Sequence, residues 1–70
     1  MKRIETVEEL RIAFQKGQKI LQSGYILWKV KDKEYCLSPF TNSILFCRNF
    51  LEEFLTDFNS VETYTWENIE

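Results

Sequence analysis

Residues 25–38, YILWKVKDKEYCLS (Tyr25–Ser38), decide the fold. The first half, Tyr25 to Lys31, is rich in β-branched and aromatic side chains and reads as a strand. Strand side chains alternate, so Ile26, Trp28 and Val30 share one face while Tyr25, Leu27, Lys29 and Lys31 share the other. Asp32-Lys33 suits a tight turn, and residues 34–38 read as the return strand of a hairpin. Pro39 ends that strand, because it has no N–H to give to a ladder.

Working outward, residues 7–16 read as a helix. Thr6 is a suitable N-cap with Glu9 three residues on, a capping box, and Gly17 stands where a helix stops. Val7, Leu10 and Phe14 form one apolar stripe, while Ile12 falls on the opposite side, either singly exposed or in contact with something outside the core. Lys19-Ile20-Leu21-Gln22 is a short strand-like piece closed by Ser23-Gly24. Beyond the hairpin, 43–47 reads as a strand. Asn49 and Glu52 make a second cap-like pair, which starts a helix over 50–58. In that helix Phe50, Leu51, Phe54, Leu55 and Phe58 separate cleanly from Glu52, Glu53, Thr56 and Asp57. Residues 61–67 alternate as a last strand, with Tyr64 and Trp66 opposite Val61, Thr63 and Thr65. The expectation is a single small α+β domain over residues 1–70, a mostly antiparallel sheet with helices on one face.

The composition narrows function mainly by exclusion. Seventy residues make one domain at most, and the chain has no histidine. That removes a histidine general base, Ser-His-Asp and Cys-His pairs and histidine metal sites. So short a chain does not easily wall off a deep substrate cleft. Cys36 and Cys47 lie in apolar runs without Cys-x-x-Cys spacing and are expected to be free buried thiols. There is no glycine-rich phosphate loop, since Gly17 and Gly24 are the only glycines. No catalytic residue, metal or cofactor is expected. No stretch approaches the ~20 apolar residues of a membrane span, and the opening Met1-Lys2-Arg3 lacks a signal-peptide core. A cytoplasmic protein with no membrane partner is the expectation. Eleven aromatic residues, six Phe, three Tyr and two Trp, are too many to hide in one small monomer, so some face a partner or the chain self-associates.

Charge is uneven along the chain. Residues 1–48 hold all nine Lys and Arg against five acids, a net of +4; residues 49–70 hold six acids and no cation, a net of −6. Either the two parts pair across the surface or the acidic part steers a partner. The candidate partner-binding set is Glu52, Glu53 and Asp57 with Tyr64 and Trp66. An alternative ligand or nucleic-acid surface draws on Tyr25, Trp28, Lys29, Lys31 and Tyr35, although lysines on an edge strand also serve to block aggregation. The overall acidic balance disfavours nucleic acid and favours a protein partner, with a homo-oligomer as a further option.

A helix closing at Gly17, a strand opening at Ile20, a Trp/Tyr-rich hairpin and a terminal Trp66-Glu67 together resemble the short proteins encoded by phages and prophages. The resemblance implies a non-catalytic accessory or counter-defence protein. Such proteins bind and modulate or inhibit a larger host macromolecule, or, as oligomers, sequester a nucleotide signal. It assigns no site residues.

Overall fold

The structure, a computed structural model, describes residues 1–41, 44–46 and 50–66. It is an α+β domain in which one antiparallel sheet carries two helices on one face. The elements run β1 (Lys2–Arg3), α1 (Val7–Gln15), β2 (Lys19–Gln22), β3 (Tyr25–Val30), β4 (Lys33–Leu37), β5 (Ile44–Phe46), α2 (Phe50–Thr56) and β6 (Thr63–Trp66). The spatial order is β1-β6-β2-β3-β4-β5, with every pairing antiparallel. The last strand therefore inserts between the first two.

α1 is bounded as its sequence requires. Thr6 Oγ1 accepts from the Glu9 N–H at 3.1 Å, and the Glu9 carboxylate accepts from the Glu5 N–H at 2.8 Å. Two orphan donors are satisfied at once. At the other end Gly17 takes φ +86°, while its N–H and that of Gln18 return to the carbonyls of Phe14 and Ala13. This is the left-handed helix stop that glycine adopts without a Cβ penalty.

α2 ends at Thr56, two residues short of the expected Phe58. The Phe58 N–H turns to the Leu55 carbonyl three residues back, and the Val61 N–H folds back to Asp57. Residues 57–61 are thus a turn, and β6 begins at Thr63 rather than 61. The expected cap, Asn49, lies outside the described residues, as does Cys47. A donor on α2's first turn is instead satisfied from the sheet, where Glu34 Oε1 accepts from the Leu51 N–H at 3.0 Å. The hairpin turn is Lys31-Asp32, one residue earlier than expected, with Lys31 at φ +57°. β3 and β4 both sit inside the sheet, so Lys29 and Lys33 do not guard an edge.

Helix and sheet meet over Leu10, Ala13 and Phe14 of α1, Phe54 of α2, and Ile20, Leu27 and Cys36 of the sheet, with Ile4 completing the core. Cys36 is buried, as its apolar run suggests. Gln22, 4% exposed, sits in the same layer. Its Nε2 donates to the Phe54 carbonyl at 2.9 Å and to Thr63 Oγ1 at 2.8 Å. The carbonyl that the turn after α2 frees from the helix is thereby held by the sheet.

Candidate interaction surface on the open face of the sheet

Strand alternation and register sort the sheet into two faces. The face under the helices carries Ile20, Leu27 and Cys36, all essentially buried, but also the polar Gln22, Ser38, Thr63 and Thr65. Lys29 reaches out of this layer, its Nζ 5.7 Å from the Phe14 ring centre and 3.1 Å from Gln15 Oε1. Its methylenes cover apolar surface while its charge stays wet.

The opposite face has no helix on it among the described residues, and it is the more apolar of the two. One row crosses the strands as Tyr64, Leu21, Ile26, Leu37 and Ile44. A second runs Trp66, Lys19, Trp28 and Tyr35. Trp28 and Tyr35 stack with ring centres 5.7 Å apart and an 18° interplanar angle. The Lys19 ammonium lies 5.9 Å from the Trp28 ring centre, an electrostatic attraction to the ring face. Val30, Ile44 and Trp66 are 51%, 59% and 46% exposed. Between them Leu21, Ile26, Trp28, Tyr35, Leu37 and Tyr64 are half-buried, and an apolar face left partly open to water is where a soluble protein meets a partner.

Charge is confined to the margin, apart from Lys19. Arg3 and Glu62 pair at 3.8 Å beside β6, and Lys33 stands at the hairpin end. Glu62 also accepts a hydrogen bond from the Tyr64 hydroxyl. That bond, aided by burial and by the Glu62 charge, raises the Tyr64 pKa above its ordinary 10. The sign follows directly. A phenol whose folded pKa is raised adds stability that is fully present below pH ~10 and lost as pH climbs through the raised value. In an ultraviolet titration, the Tyr64 transition, identified by its loss in Tyr64→Phe, is expected to move to lower pH in Glu62→Gln. A Tyr64 transition that Glu62→Gln leaves in place would rule the bond out.

The structure divides both residue sets drawn from the sequence. Tyr64 and Trp66 lie on the open face, so they do not build the core. Glu52 and Glu53 lie exposed on α2, and Asp57 in the turn that follows it, across the sheet from them. The acidic and aromatic halves of that set therefore do not form one surface. In the alternative set, Trp28 and Tyr35 meet on the open face, Tyr25 and Lys29 are on the helix side, and Lys31 is in the turn. Leu21, Ile26, Leu37 and Ile44 are the surface residues that sequence reasoning did not single out. Their signal was present, because both faces of the hairpin are apolar and only one can lie under the helices.

Ile12, 47% exposed, lines an open depression of about 410 Å³ with Leu51, Glu8, Arg11, Gln15 and Lys16 on the helix side. Among the described residues no three His, Cys, Asp or Glu side chains converge as a metal site, and no helix is long and apolar enough to cross a membrane. Comparison of the chain with protein-family models, with curated proteins and with solved structures finds no match.

Proposed function

We propose that this is a non-enzymatic interaction protein whose principal binding surface is the open face of the sheet. One observation carries the reading: the face without helices is more apolar than the face beneath them. Covering the apolar area still open there is worth about 25 cal/mol per Å² removed from water, so a partner is a better neighbour for this surface than water. An apolar middle with a charged margin is the anatomy of a protein–protein interface. Modulation or inhibition of a host macromolecule is what the resemblance to phage-encoded accessory proteins implies for the biological outcome. The acidic face of α2 is then a second, separate surface that steers approach without forming the contact.

The two surfaces are separable by mutation. Ile44→Lys with Trp66→Lys is expected to abolish the complexes that the full chain forms in an extract of its source cells, as quantified by native mass spectrometry. Glu53→Lys with Asp57→Lys is expected to leave those complexes in place and to lower only their association rate, by up to ~10-fold at low salt. Complexes that survive the first pair and vanish with the second would refute the assignment of the surface.

A second reading takes the row Trp66, Lys19, Trp28 and Tyr35 as a stacking platform for single-stranded nucleic acid. It predicts salt-dependent quenching of tryptophan emission by oligo(dT).

A further inference from the structure

We draw no further inference here: the strongest candidate, the open face of the sheet with its aliphatic row beside the aromatic row that holds Lys19, belongs to the surface already described, and nothing in the structure shows what covers it.

Discussion

Truncating Phe14 to alanine is expected to lower the unfolding free energy by about 3–5 kcal/mol. Phe14 is 2% exposed and the largest of the fully buried side chains, wedged between α1 and the strands it covers. It falls on the buried stripe of α1, four residues from Leu10 and next to Ala13, the other helix positions that face inward. Its removal takes away ring area and leaves a cavity that Leu10, Ile20 and Leu27 cannot collapse to fill. A domain of 70 residues has a total stability of only roughly 4–10 kcal/mol. Phe14→Ala should therefore leave little folded protein in water, as urea titration followed by far-ultraviolet circular dichroism would show. A loss under 1 kcal/mol would mean that the helix layer is not packed on this residue.

Gln22→Leu is the second large effect, and it acts through a different term. The substitution keeps the side-chain volume but removes both donors, stranding the Phe54 carbonyl and the Thr63 hydroxyl in the core. Each stranded group costs about 1–3 kcal/mol, so the expected loss is ~2–4 kcal/mol. Adding Thr63→Val to Gln22→Leu removes one of the stranded groups. The double variant should then be more stable than the sum of the two single losses predicts, by on the order of 1 kcal/mol. Strict additivity would show that the amide does not join β2 to β6. The same bond ties the end of α2 to the sheet, so Gln22→Leu should also raise hydrogen exchange over residues 54–61 before the rest of the domain.

These residues also show what was legible in the sequence. The hairpin, the capping box of Thr6 and Glu9, and the amphipathic α2 are local patterns, and local patterns can be read. β1 is two residues long and β2 four, too short for alternation to declare itself. The insertion of β6 between β1 and β2 is a choice of partner, which no local period encodes. The largest gap concerns which face of each strand is covered. On β6 Thr63 and Thr65 are the buried pair, while Tyr64 and Trp66, read from the sequence as contact residues, are on the outer side. Thr63 is tolerated inside because Gln22 bonds it, a contact across 41 residues of sequence. Glu34 is likewise an unremarkable strand residue until α2 arrives to need its carboxylate. The candidate surface was half legible for the same reason. Tyr64, Trp66, Trp28 and Tyr35 were recognisable as contact residues by type. That they share one face with Leu21, Ile26 and Leu37, and that Glu52, Glu53 and Asp57 do not, follows only from the register.

Both tryptophans of the chain, Trp28 and Trp66, lie on the open face, so their emission reports on that surface. Acrylamide quenching of the chain, alone and in the complexes it forms in an extract of its source cells, is therefore the most direct check on whether this face is covered in the working form. In the complexes both rings are expected to be shielded and blue-shifted together relative to the chain alone. Quenching that is equally strong in the chain alone and in its complexes would contradict the assignment of the open face as the surface through which this protein acts.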